Sequence, residues 1–209
     1  MATGSTDNLI HRIRAAHRRR RELDRWAEAG YAMPAPPFVK RAVLRRNGLP
    51  GATWVETGTF QGDTTDFLAV DGSRVVTIEP EPRLHAAAVE RFRGRPNVDV
   101  RHGLSEDVMP ALLPTIEGDV CFWLDGHYSA GVTYKGPKDT PIVDELACIA
   151  MHLPRWRRVV VMVDDVRCFE PWQPDFAGYP PRDHLVKWAA SHGLRWHIEH
   201  DIFVARTPA

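Results

Sequence analysis

The sequence predicts an α/β protein built on a mostly parallel sheet, with helices on both faces and an antiparallel hairpin at the C-terminal end. From residue 50 onward, short β-branched runs alternate with helix-compatible segments, the pattern of repeated βαβ units. Two of these runs, Val120-Cys-Phe-Trp-Leu124 and Val159-Val-Val-Met-Val163, are apolar throughout, as strands buried on both faces must be. The last two runs, Arg195-Trp-His-Ile-Glu-His and Ile202-Phe-Val-Ala-Arg, are separated by a very short turn and so should pair as a hairpin.

The elements follow in order. Leu9, Ile10, Ile13, Ala16, Leu23 and Trp26 recur at roughly helical spacing, so a helix is expected over 9–29. The same segment carries Arg12, Arg14, Arg18, Arg19, Arg20, Arg21 and Arg25 with few acids. It reads either as an arm for an anionic partner or as the solvated face of a helix that packs on another subunit, giving a homodimer through the N-terminal helices. The second reading is favoured, because charge runs usually serve solubility. A Pro-rich link, Met33-Pro-Ala-Pro-Pro37, leads to a short helix at 38–46 that Asn47-Gly48 stops. Residues 1–49 thus form a helical extension, and 50–209 one globular unit.

Within that unit, seven strands are expected near 53–56, 74–78, 97–101, 119–124, 158–163, 194–199 and 202–206. Helices are expected near 63–70, 83–92, 105–113, 139–152 and 182–192. Asp139 or Thr140 should cap the helix at 139–152, with Pro141 in its first turn. Glu145 reads as an acid partnering that helix's dipole.

Bulk properties exclude several classes. At 209 residues the chain can bury a substantial core in one domain. Lys plus Arg and Asp plus Glu both number 27, so net charge argues for neither nucleic acid nor membrane. Cys121, Cys148 and Cys168 form no C-x-x-C pair and no disulfide framework, which suits a reducing cytoplasm. No run approaches membrane-spanning length, and the N-terminus lacks the apolar core of a signal peptide.

The most informative stretch is Trp54-Val-Glu-Thr-Gly-Thr-Phe-Gln-Gly62: a strand, a glycine turn and a helix start. Phe60 and Gln61 break the dinucleotide fingerprint G-x-G-x-x-G, and a phosphate-cradling loop is also absent. The remaining E-x-G-x-x-x-G resembles the first motif of class I S-adenosylmethionine-dependent methyltransferases. The resemblance covers roughly 50–206 and implies that family's Rossmann-like sheet. It implies a turn, through Glu56, Gly58, Thr59 and Gly62, that carries a cationic amino-acid ligand. The next strand ends at Glu79, where nucleotide-binding α/β folds place the carboxylate that accepts from ribose hydroxyls. By the same resemblance, Gly103, Leu104 and Ser105 border the adenine ring, and Asp125 completes the cofactor contacts.

A second constellation lies further on. The fourth and fifth strands end at Asp125-Gly126-His127 and at Asp164-Asp165, so neighbouring parallel strands would bring three carboxylates to one edge. Three close carboxylates repel, and a hard divalent cation with oxygen ligands, Mg²⁺ (or Ca²⁺, Mn²⁺), would resolve this. Each Asp alone would read as a cap of the next loop. The set resembles that of metal-dependent O-methyltransferases acting on sugars in macrolide-type pathways. The chain departs from them at Asp-Gly-His-Tyr-Ser and in a longer following loop. Cys121 and His127 lack zinc spacing.

His127 is the candidate general base, since a neutral imidazole accepts a hydroxyl proton near neutral pH. It could instead only brace its loop. Tyr128, Tyr134, Lys135 and Lys138 lie in that loop, where substrate contacts are usual. The expected activity is Mg²⁺-dependent O-methylation of a saccharide or small-molecule acceptor from S-adenosylmethionine. The alternatives are ribose methylation of nucleic acid, guided by the Arg-rich arm, and a non-catalytic interaction protein on the same fold. Asp125-Gly-His stands where amino-methylating DNA enzymes resemble one another in Asn/Asp-Pro-Pro-Tyr, which argues against exocyclic amine chemistry on bases and leaves ribose O-methylation open; a nucleic-acid partner is the less expected one.

Overall fold

Strand formation follows the alternation in the sequence. In β1 (Thr53–Thr57), β2 (Val75–Glu79), β4 (Asp119–Leu124) and β5 (Arg158–Val163), nearly every residue is buried, as in a sheet covered on both faces. With β3 (Val98–His102), β6 (Arg195–Glu199) and β7 (Ile202–Arg206) they make one sheet in the order β3-β2-β1-β4-β5-β7-β6. Strands β1 to β5 pair in parallel, and β7 runs antiparallel to both β5 and β6. The structure is a computed structural model and describes residues 4–70, 73–126 and 140–208, with backbone only for 4–12.

Helices α3 (Asp63–Leu68), α4 (Pro82–Phe92) and α5 (Ser105–Leu112) follow the first three strands. Helices α6 (Ile142–His152) and α7 (Arg182–Ser191) follow later in the chain, and α1 (Gly4–Glu28) and α2 (Pro37–Asn47) precede the sheet. The period-2 strand pattern splits the core between the faces. On one, Val55, Phe122, Leu124 and Val161 meet Met109 of α5, Leu146 and Ile149 of α6 and Leu185 of α7. On the other, Trp54, Trp123, Val160 and Met162 meet Val43 and Leu44 of α2 and Leu68 of α3. Helix α2 is therefore part of the core layer.

Pro141 itself takes the cap position of α6, one residue later than expected, while Thr140 Oγ1 accepts the Ile142 N–H at 3.3 Å. Glu145 lies in the first turn of α6, as the sequence implies, and is 1 % exposed, with its Oε1 near the Gly126 turn. The hairpin turn is His200-Asp201, both at positive φ, as two-residue turns that match strand twist require. Cys121, Cys148 and Cys168 are all buried free thiols. No helix among the described residues is long and apolar enough to cross a membrane.

Candidate active site at the carboxyl edge

The ends of β1, β2, β4 and β5 are stitched into one edge by backbone bonds that continue the ladders. Gly58 donates to Ile78 O, Gly103 to Glu79 O, Asp125 to Thr57 O and Asp164 to Leu124 O. This register places the glycine turn, Glu79, the 103–105 loop, Asp125 and the Asp164–Asp165 pair along one line, as a parallel sheet requires of residues at successive strand ends.

The two motif glycines are fixed by the protein's own packing. Gly58 has φ +86°, and a Cβ there would lie 2.6 Å from the Asp125 carbonyl oxygen. Gly62 has φ +82°, and a Cβ would lie 2.8 Å from the Phe92 ring. The turn can thus pass directly beneath the β4 exit loop on one side and against α4 on the other. Glu56 lies beneath this turn, fully buried, rather than on its surface. Its Oε2 accepts from Thr65 Oγ1 at 2.5 Å and Thr77 Oγ1 at 2.7 Å, tying α3 and β2 to β1. Its Oε1 has no hydrogen-bond partner among the described residues. Burial pushes this carboxyl up to about 7, against the two threonine bonds. Thr59 is also buried and shares a 2.6 Å hydrogen bond with Thr77.

Glu79 closes the turn from the β2 side. One carboxylate oxygen accepts the Phe60 N–H at 2.8 Å and the other the Glu81 N–H at 2.9 Å. Burial raises its pKa, and these two bonds oppose the rise. Phe60 sits at φ +49° with its ring exposed. Gly103, at φ +139°, lets the chain turn from β3 over Val108, and Leu104 and Ser105 follow into α5.

The acid cluster forms as the strand ends imply. Oxygen atoms of Asp125, Asp164 and Asp165 lie within 4.8 Å of one another, with Asp164 and Asp165 buried and Asp125 half-buried. Asp165 occupies the left-handed region at φ +55°, and its N–H donates to Asp164 Oδ1 at 2.8 Å. An added feature is the pair of cations that reach this cluster. Lys40 Nζ, from the first turn of α2, lies 2.5 Å from Asp164 Oδ2 and 3.1 Å from Asp165 Oδ1. Arg167, in the single turn Val166–Cys168 after β5, donates to the same Asp165 Oδ1 at 2.6 Å. Its guanidinium also donates to Asp201, whose Oδ1 accepts the Arg167 backbone N–H at 2.7 Å. Burial would depress the Lys40 pKa, but the charges of Asp164 and Asp165 outweigh it and raise it. For Asp164, burial and the Asp165 charge outweigh Lys40, so its pKa rises as well.

Hard carboxylate oxygens at this spacing fit a divalent cation, with Asp125, Asp164 and Asp165 as donors. His127, Tyr128, Tyr134, Lys135, Lys138 and Asp139 lie outside the described residues.

No protein-family model matches the chain, and no curated protein matches it. Solved structures do. An O-methyltransferase from Bacillus cereus in complex with SAH aligns at a TM-score of 0.55 and 18% identity, covering 91% of this chain and 90% of that one. The 23S rRNA methyltransferase ErmE aligns at 0.54 and 15% identity, covering 85% of this chain and 70% of that one. A SAM-dependent methyltransferase from Aquifex aeolicus aligns at 0.50 and 16% identity, covering 79% and 86%. The fold is that of the Rossmann-like methyltransferases.

In this methyltransferase fold the sequence reading missed Lys40, Arg167 and Asp201. Lys40 gave no signal among the basic residues of α2. Asp201 could have been sought as a turn residue, but its link to Arg167 depends on β7 lying beside β5.

Proposed function

We propose that this protein is an S-adenosylmethionine-dependent, Mg²⁺-dependent O-methyltransferase acting on a hydroxyl of a saccharide or another small-molecule acceptor. The observation that carries this reading is the edge where Glu79 and the three-carboxylate cluster flank one glycine turn. The likeness in fold to an O-methyltransferase in complex with SAH supports it.

In this reading Glu79 uses its remaining acceptor capacity on the ribose hydroxyls. The backbone from Gly58 to Gly62, with Thr59, cradles the amino-acid end of the cofactor, and Glu56 supports that turn from below. Gly103, Leu104 and Ser105 border the adenine. Asp125, Asp164 and Asp165 would hold the cation. When bound, the cation lowers the pKa of the acceptor hydroxyl, and S-adenosylmethionine supplies the methyl group. His127, or Asp125 in its place, takes the hydroxyl proton. Tyr128, Tyr134, Lys135 and Lys138 orient the acceptor. Holding donor and acceptor in line contributes much of the rate.

Calorimetric titration with S-adenosylhomocysteine, with and without Mg²⁺, tests this reading. Saturable binding is expected. Absence of binding would remove the methyltransferase reading altogether. Activity on an identified acceptor that survives exhaustive chelation would remove the cation.

A second reading, ribose methylation of RNA, is favoured by α1, whose Arg18, Arg19, Arg20, Arg21 and Arg25 are all exposed. The solved structure of a 23S rRNA methyltransferase with a similar fold is compatible with it. Its test is the salt dependence of RNA binding, which should be steep if these arginines contact phosphates.

A further inference from the structure

We propose that Lys40 is a tethered counter-ion whose ammonium occupies the cation position of the acid cluster, and that a divalent cation binds there only as Lys40 withdraws. This rests on the metal reading above and adds a gate to it.

The geometry supplies the competition. Lys40 Nζ is within 3.1 Å of both Asp164 Oδ2 and Asp165 Oδ1, two of the atoms a cation would need. Mg²⁺ holds carboxylate oxygens at about 2.0–2.1 Å, and at that locus it would stand against the ammonium. Two positive charges a few ångströms apart in a half-dry site repel strongly. One of them has to leave.

The structure also says which of the two protein cations can leave. Arg167 is doubly anchored by Asp201, through its guanidinium and its backbone N–H. Lys40 has no such anchor: its ammonium donates only to Asp164 and Asp165 among the described residues. Its side chain is 22% exposed and hangs on a flexible four-carbon stem from the first turn of α2. Rotation of that stem toward solvent frees the carboxylates without moving the helix. The far end of α2 is fixed in any case. Asn47 donates to Glu199 Oε1 at 2.6 Å and accepts from Arg206 at 2.7 Å.

The consequence is a protein that folds with a lysine ammonium against its acid cluster and takes up a divalent cation against that built-in competitor. Removing the competitor should tighten the site. Mn²⁺ binding, read as loss of the free-ion signal in electron paramagnetic resonance, is compared in wild type and Lys40→Met. The variant is expected to bind Mn²⁺ at least about tenfold more tightly, since the buried Asp164 carboxylate loses the only cationic side chain bonded to it among the described residues. In the wild type, the rate of reductive methylation at Lys40 is read by mass spectrometry with chelator and with saturating Mn²⁺. The rate should rise several-fold with the metal, as the amine moves into solvent. This second measurement needs no variant, so a Lys40→Met chain that fails to fold leaves the inference testable. Equal Mn²⁺ affinity in the two proteins, or a methylation rate unchanged at metal saturation, overturns the gate and leaves the metal reading standing. No Mn²⁺ binding by either protein overturns both.

Discussion

The Gly58 Cα faces the Asp125 carbonyl so closely that a methyl group there would lie 2.6 Å from the oxygen. The glycine turn and the exit of β4 are thus one packed unit. A lesion in either displaces the other, which couples the proposed cofactor turn to the first carboxylate of the acid cluster.

Gly58→Ala should therefore be a stability variant as well as a binding variant. The left-handed backbone costs an L-residue about 1–2 kcal/mol, and the clash adds an overpacking cost of about 1–3 kcal/mol. Urea unfolding should show a midpoint well below wild type. An unchanged midpoint would mean that the β4 exit yields freely.

Glu79→Ala should weaken S-adenosylhomocysteine binding by roughly 1.5–3 kcal/mol, the worth of a hydrogen bond to a charged group, or about 10- to 150-fold. The variant also leaves the Phe60 and Glu81 N–H groups without their acceptor. Calorimetry reads the loss. Wild-type affinity would remove the ribose role from Glu79.

Glu56 makes a pH prediction. Its folded pKa of about 7 lies above the ordinary 4.5, so the folded protein holds a proton that the unfolded chain gives up. Stability from this group should then fall as pH rises from about 4.5 to about 7, and level off above. The difference corresponds to about 3 kcal/mol, at 1.36 kcal/mol per pKa unit. Glu56→Gln mimics the protonated form. Its stability relative to wild type should rise across that window and stay constant beyond it. Parallel stability–pH curves for the two proteins would contradict the raised pKa.

His127→Ala should lower kcat by about 10²–10⁴-fold, the usual cost of losing a general base. Cofactor affinity should stay near wild type, because His127 is not among the proposed cofactor contacts. The acid limb of the kcat–pH profile should vanish with it. Near wild-type kcat would transfer the proton to Asp125.

The sheet and the strand-end acids were legible because their signals are local. An apolar run that ends in an acid marks a strand and the edge it reaches, and Glu79, Asp125, Asp164 and Asp165 all fall there. The roles of some residues were less legible. The resemblance put Glu56 in the cofactor turn, but its depth follows from Thr65 and Thr77, which arrive from other elements. Glu145 was legible as an acid of the first turn of α6, but its burial depends on what α6 packs against. Lys40 was invisible for a different reason. It meets Asp164 across 124 positions of sequence, and nothing in a short basic helix tells a part-buried lysine from a solvated one.

Helix α2 carries a practical consequence for anyone shortening the chain. A fragment beginning at residue 50 would retain every glycine and carboxylate of the carboxyl edge. It would also strip Val43 and Leu44 from one core face and Asn47 from its ties to Glu199 and Arg206. Above all, Asp164 would lose the only cationic side chain bonded to it among the described residues. The piece that looks dispensable holds the counter-charge of Asp164, so trimming there would leave that carboxylate to Arg167's hold on its neighbour Asp165 rather than isolate a minimal domain.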